Sequence, residues 1–175
     1  MILRPKHLSM KGAQFIGRSE GFRGYAYNDP VGFATVGFGH LLHRSNVTAA
    51  DAAKWGTKAH PKLSRESGLL LLVKDAERYS APLAARAKAK GWKLNQPQFD
   101  ALVSFSFNVG TGWLSDSGLE RTLTAGMHKT LNPLTLQIQV RHELLKWDVA
   151  GGKHLPGLHA RREREARLFA TGVYL

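Results

Sequence analysis

Two carboxylic acids stand apart from the other acidic residues of this chain. Glu20 is followed by Gly21 and Phe22, and Asp29 lies in Asn28-Asp29-Pro30-Val31-Gly32, so each sits at an element boundary beside glycine and aromatic residues. Glu66, Asp75, Glu77, Glu163 and Glu165 instead fall among Lys and Arg on helical stretches, where a solvated ion pair is the ordinary reading. A pair of carboxyl groups suits acid–base cleavage of a glycosidic bond. One, protonated, donates to the leaving oxygen; the other, ionised, activates water or attacks from the opposite side of the sugar. Thr35, on the strand returning from Asp29, can bring a hydroxyl beside it to hold a water. By itself the spacing is unspecific: with each residue type at roughly 6% of positions, a chain of this size shows it by chance on the order of a few per cent of the time.

Several elements must position these residues. Ser9 can cap a short first helix with Phe15 and Ile16 inward, ending near Glu20 and Gly21. From Phe22 to His40 the strand formers Tyr25, Tyr27, Phe33, Thr35, Val36 and Phe38, broken by glycines, predict a small antiparallel sheet. Thr48 and Asp51 form a capping-box pattern for the next helix, closed by His60-Pro61. A long helix runs from about Arg65 towards Lys90, with Pro82 expected to kink or split it. Asn95 and Pro97 open a helix over Gln98 to Phe107, with Phe99, Leu102, Val103, Phe105 and Phe107 as buried positions. Further helices are expected near Gly118–Ala125, Pro133–Trp147 and Leu158–Ala170. The fold class is therefore α+β, mostly helical with one small sheet near the start, and a cleft between a β lobe and a helical lobe is expected.

Composition sets wider limits. The chain has 175 residues, ordinary hydrophobic content and no repeat, which suits one domain with a real core. Its 25 Lys and Arg against 13 Asp and Glu leave a net charge of +12, favouring polyanionic partners such as nucleic acid, an anionic membrane surface or the bacterial envelope. No helix-turn-helix, zinc-finger or RNP-type signature supports nucleic acid. Having no cysteine excludes disulfides and thiolate chemistry. His40 and His43 lie three apart with no third ligand at convincing spacing, so no metal and no cofactor is expected; His40 is expected to pack or hydrogen-bond beneath the cleft. Arg161, Arg162, Arg164 and Arg167 read as a solvated helix face, with envelope binding as the functional alternative. The N-terminal residues lack the apolar core of a signal peptide, and the longest apolar run, Leu69 to Val73, is far short of the ~20 residues of a membrane span.

The surroundings of the acid pair carry a more specific signal. Ser19-Glu20-Gly21-Phe22, the run from Tyr27 through Thr35 to Gly37-Phe38-Gly39-His40-Leu41-Leu42, and Gln98-Phe99-Asp100-Ala101-Leu102-Val103-Ser104-Phe105-Ser106-Phe107-Asn108-Val109-Gly110 occur in order. Trp147, Gly151-Gly152, Leu155-Pro156-Gly157-Leu158, Arg161-Arg162 and Leu168-Phe169-Ala170-Thr171-Gly172 complete the series. From about Leu8 to Gly172 the chain resembles the phage-type lysozymes, the endolysins or muramidases of glycoside hydrolase family 24.

That resemblance implies a two-lobed fold in a single domain, with a small β-containing lobe over about 20–64 and a helical lobe over about 65–175 on which the N-terminal helix packs. It implies cleavage of the β-1,4 bond between N-acetylmuramic acid and N-acetylglucosamine, with Glu20 as general acid, Asp29 supporting the attacking water and the developing positive charge, and Thr35 orienting that water. Leu41, Phe107 and Ser117 fall on sugar-binding positions, and Arg161 on an arginine that orients the acid; for Phe107 an ordinary core role is equally open. A further contact lands on Arg141, a long cation where the family pattern has a shorter polar group. The expected partner is bacterial peptidoglycan, with the basic surface available to an anionic outer envelope, and the expected form is a monomer. It would be made in a bacterial cytoplasm and act on the wall after holin-like release or lysis. A lytic transglycosylase, needing the acid but no water-activating partner, and a non-catalytic basic wall-binding module are the competing readings.

Overall fold

The computed structural model describes residues 7–128 and 130–175. The chain divides into two compact units, Ala13–Asp75 and a second made of Met1–Gly12 with Ala76–Leu175.

Helix α1 (Met10–Gly17) contributes to both units and, within the first, buries Ala13, Phe15 and Ile16. It stops three residues before Glu20: the Ser19 N–H turns back to the Ile16 carbonyl at 2.9 Å, a tighter turn that closes the helix. Glu20 therefore lies in the connection to the sheet. Strands β1 (Arg23–Asn28), β2 (Ala34–Gly37) and β3 (His40–His43) form an antiparallel sheet in sequence order. Thr35 sits on the middle strand, opposite Tyr27 on one side and Leu41 on the other. The sheet runs three residues beyond the expected limit at His40, and Phe33 and Phe38 lie in turns, outside the strands.

Phe38 is nonetheless core. Its ring lies 4.9 Å from that of Phe22, and the Arg65 guanidinium covers both. Gly68 makes this possible, since a Cβ there would lie 2.6 Å from the Phe22 ring. Helix α2 (Ala49–Trp55) carries the full capping box: Thr48 accepts from the Asp51 N–H and Asp51 accepts from the Thr48 N–H. His43 Nε2 adds a contact to Asp51 at 2.8 Å, and His40 Nδ1 lies 2.9 Å from Asp75, so the two histidines serve different carboxylates. Among the described residues there is no group of three or more His, Cys, Asp or Glu arranged to hold a metal.

Helix α3 (Arg65–Ala89) contributes to both units and continues through Pro82, so of the expected kink or split the split does not occur. Pro82 and Arg78, whose carbonyl loses its helical donor, are both exposed, so water can satisfy that carbonyl. Among the described residues no helix is long and apolar enough to cross a membrane.

The second unit holds α4 (Gln96–Val109), a single 3₁₀ turn, α5 (Gly118–Met127), α6 (Pro133–Leu145) and α7 (Pro156–Thr171). Helix α7 packs on α4 and α6, and α5 on α6. Asn95 caps α4 with a capping box to Gln98, so the helix starts two residues earlier than expected. Trp92, Phe99, Phe105, Trp113, Leu119 and Leu144 are fully buried. Asp100, at 0% exposure, accepts from the Ser9 N–H and hydroxyl, Gln96 Nε2 and the Tyr174 hydroxyl, which ties both ends of the described chain to α4. Burial first, then the hydrogen bond to Asp100, push the Tyr174 phenol well up. Sequence reading missed a hairpin, β4 (Val149–Ala150) with β5 (Lys153–His154), turning on Gly151 and Gly152 at positive φ; strands of two residues carry no readable alternation.

Helix α7 overturns the solvated reading for Arg161, Arg162 and Glu165, whereas Arg164 and Arg167 are exposed as expected. Arg162 and Glu165 are both 0% exposed and Arg161 is buried. Glu165 is 2.8 Å from Arg162 Nε and accepts from the Ser104 hydroxyl at 2.8 Å and from Arg161 Nε at 3.3 Å. Arg162 also donates to Asn108 and lies over the Phe105 ring. Burial pushes the Glu165 carboxyl up and the Arg162 guanidinium down, and the opposite charges oppose both shifts.

Two stability tests follow. Glu165→Ala leaves a buried guanidinium unpaired and is expected to cost about 3–5 kcal/mol in urea unfolding. Hydrogen bonds from Thr48 and His43 hold the Asp51 carboxyl down at about 2, below its ordinary value. A depressed pKa contributes stability above the ordinary value of about 3.9 that is lost as pH falls through the native value. The advantage of wild type over Asp51→Asn should therefore shrink between about pH 4 and pH 2, read from urea midpoints across that range.

Candidate active site

Asp29 closes β1 and builds its own turn. Its Oδ1 accepts from the Val31 and Phe33 N–H groups, both at 2.9 Å. Its backbone carbonyl accepts from Gly32, and its N–H donates to the Phe33 carbonyl. Gly32 has φ +90°, a conformation that needs glycine for the chain to reverse there. Among the described residues nothing donates to Oδ2. One oxygen of the carboxylate is thus structural and the other is left for chemistry.

Glu20 and Asp29 line one open cavity of about 240 Å³ together with Gly21, Arg23, Tyr27, Pro30, Phe38 and Gly39. Both acids come from boundaries: Glu20 follows the end of α1, and Asp29 ends β1. Tyr27 stands beside them with its phenol pushed up, first by burial and further by Asp29, against an opposing effect of Arg23. It stays a neutral hydrogen-bond donor at neutral pH. Thr35 is buried and does not line the cavity; its hydroxyl donates to the Phe33 carbonyl at 3.0 Å, within the same turn that Asp29 organises. A threonine committed in this way still offers lone pairs to a water.

The other expected residues divide. Leu41 is exposed on β3, next to Thr35 in the register, and is outside the cavity lining. Phe107, Ser117, Arg141 and Arg161 belong to the second unit. Phe107 is half-buried, its ring 5.4 Å from Tyr79, where full burial was expected. Ser117 caps α5, its hydroxyl accepting from the Glu120 N–H at 3.0 Å. Arg141 is engaged by Glu163 in a two-pronged ion pair. Arg161 donates to Glu165 and, at 3.5 Å, to the Ser104 carbonyl. Arg23 and Tyr27 are cavity residues with polar side chains that sequence reasoning did not single out for chemistry. An arginine opening a strand looks like any surface cation until the strand's neighbours are known.

The family model described as phage lysozyme matches residues 17–165, a span that includes Glu20, Asp29, Thr35 and Arg161. The endolysin of Bacillus phage B103 is 34% identical over 170 residues, covering 95% of this chain and 55% of that relative, so the chain spans about half its length. The endolysin of Acyrthosiphon pisum secondary endosymbiont phage 1 is 31% identical over 169 residues, covering 94% of this chain and 99% of the relative. Among solved structures, an endolysin from Escherichia coli O157:H7 phage FAHEc1 superposes with a TM-score of 0.71 at 26% identity, covering 96% of each chain.

The division of labour within Asp29 makes two substitutions behave differently. Asn keeps an oxygen for the Val31 and Phe33 N–H groups, whereas Ala leaves both donors without their partner. Asp29→Asn should keep the thermal midpoint close to wild type, and Asp29→Ala should cost about 1–2 kcal/mol, measured by thermal and urea unfolding.

Proposed function

This chain belongs to the phage lysozyme family of peptidoglycan-lytic enzymes, and from that premise we propose that it hydrolyses the β-1,4 bond between N-acetylmuramic acid and N-acetylglucosamine with inversion at the anomeric carbon. The observation that carries the reading is the shared cavity of Glu20 and Asp29, in which one Asp29 oxygen is spent on the turn and the other is not.

In this mechanism Glu20 donates its proton to the glycosidic oxygen as the C–O bond breaks. The sugar acquires oxocarbenium character, and the negative Asp29 stabilises it. A water enters on the opposite face and Asp29 takes its proton. The Thr35 hydroxyl, already donating to Phe33, accepts a hydrogen bond from that water and so fixes its orientation. The products leave Glu20 ionised and Asp29 protonated, and exchange with solvent restores both. A threonine at this place helps a water and would do little for direct attack by a carboxylate, which is why inversion is favoured over a covalent intermediate. The family resemblance adds Leu41, Phe107 and Ser117 as glycan contacts and gives Arg161 an orienting role. Residue Arg141, held by Glu163, is left out of the glycan contacts.

The test is product analysis on isolated peptidoglycan. The wild type should release reducing ends, with the α-anomer formed first by NMR, and folded Glu20→Gln should be slower by at least about 10²-fold. Asp29→Asn, which keeps the turn, should also lose most activity. A β-anomer formed first would reject inversion, 1,6-anhydromuramic ends would identify a transglycosylase, and near-normal lysis by Glu20→Gln would remove Glu20 from the mechanism.

A further inference from the structure

Arg23 opens β1, is exposed, and lines the same cavity as Glu20 and Asp29. Its guanidinium carbon lies 4.2 Å from the centre of the Tyr27 ring, a cation–π contact that holds the group against the strand. Among the described residues it has no ion-pair partner, while Arg86, Arg121, Arg141, Arg161 and Arg162 each have a carboxylate. Its neighbours in the cavity do not take up its charge: Asp29 Oδ1 is occupied by the turn, and neither Glu20 nor Asp29 forms an ion pair with it. A planar fork of N–H donors, held in place by an aromatic face and left without an anion, suits a carboxylate brought by a ligand. A cavity with two acidic groups would otherwise repel an anionic glycan.

We propose that Arg23 is a specificity-determining residue that binds a carboxylate borne by the muramic acid unit of the substrate. This rests on the hydrolase reading above. Two carboxylates are available on such a glycan: the lactyl group, free where the peptide stem has been removed, and the carboxylates of the stem itself where the lactyl group is an amide. A purely electrostatic effect of Arg23 on Glu20 is the competing explanation, and it would act on every substrate alike.

The experiment measures binding without turnover, by calorimetry on Glu20→Gln protein. Three tetrasaccharides are compared: a stem-bearing muroglycan, the same glycan after amidase removal of the stems, and a neutral chito-oligosaccharide. Adding Arg23→Gln should weaken at least one anionic glycan about tenfold, the scale of one charge-assisted hydrogen bond, and the neutral one by no more than about twofold. Arg23→Lys should fall between, because it keeps the charge and loses the fork. Lys58→Gln, which removes an exposed cation outside the cavity, should have a much smaller effect than Arg23→Gln. Loss on the stem-bearing glycan alone assigns the stem carboxylates; loss on the stem-free glycan alone assigns the lactyl group. Equal losses on neutral and anionic glycans, no loss on either, or no glycan binding at all would overturn the proposal. Arg23-dependent binding by a protein whose wild type does not hydrolyse the wall would leave this inference standing and reject the hydrolase reading.

Discussion

Two N–H donors on one oxygen of Asp29 fix the turn from which the rest of the candidate site is laid out. The turn sets the register that puts Thr35 opposite Tyr27, and it places the Phe33 carbonyl where the Thr35 hydroxyl can reach it. Tyr27, on the same strand as Arg23, carries that residue's guanidinium over its ring. A carboxylate used in this way has its plane and its remaining oxygen held by the backbone, so orientation does not depend on a long side chain finding one rotamer. The economy has a consequence for mutational analysis, because loss of the carboxylate removes a turn and a charge together. Only the amide isostere separates the two.

The second unit follows a different rule. Its α7 helix carries Arg161, Arg162 and Glu165 at close spacing, and all three face inward. Helical geometry makes that tolerable: Glu165 is four residues from Arg161 and three from Arg162, so both cations reach one carboxylate from the same helix face. Helix α4 adds polar partners through Ser104 and Asn108, and Phe105 supplies an aromatic face to Arg162. Burying such a cluster instead of leucines is costly unless every partner is present. It makes the seat of α7 on α4 dependent on geometry as well as on apolar fit.

What could be read from the sequence follows the range of the interaction. The Thr48–Asp51 and Asn95–Gln98 capping boxes are complete within four residues, and the structure contains both. Glu20 and Asp29 stood out because glycines and aromatics flank them locally, and they share a cavity in the structure. The burial of Arg162 and Glu165 could not be read in that way. Their surrounding sequence, dense in arginine and glutamate, is that of a solvated helix, and only partners on α4, more than fifty residues earlier, reveal otherwise. Ser117 shows the limit from the other side: the hydroxyl carried over as a sugar contact is also the one that caps α5, and sequence cannot say which demand keeps a serine there. Pro82 does not split α3, since the carbonyl that loses its donor lies on an exposed turn where water can satisfy it.

The charge of the chain acts at two ranges. A net +12 spread over the surface attracts polyanions from a distance, but in physiological salt that attraction fades over about 8–10 Å and does not distinguish one anion from another. It can raise the local concentration of a polyanion without choosing a bond in it. Choice requires a cation whose position is fixed against a surface and whose donors are not already spent on the protein. Most arginines with a fixed position in this structure have a carboxylate as the reason they are fixed, which uses up the donors that would read a ligand. Arg23 is positioned by an aromatic ring instead, a contact that engages the face of the guanidinium and leaves its edge available. Arg23, held by a ring and by no carboxylate, is therefore suited to selecting a ligand, whereas Arg162, held by both the Phe105 ring and Glu165, serves to seat α7 on α4.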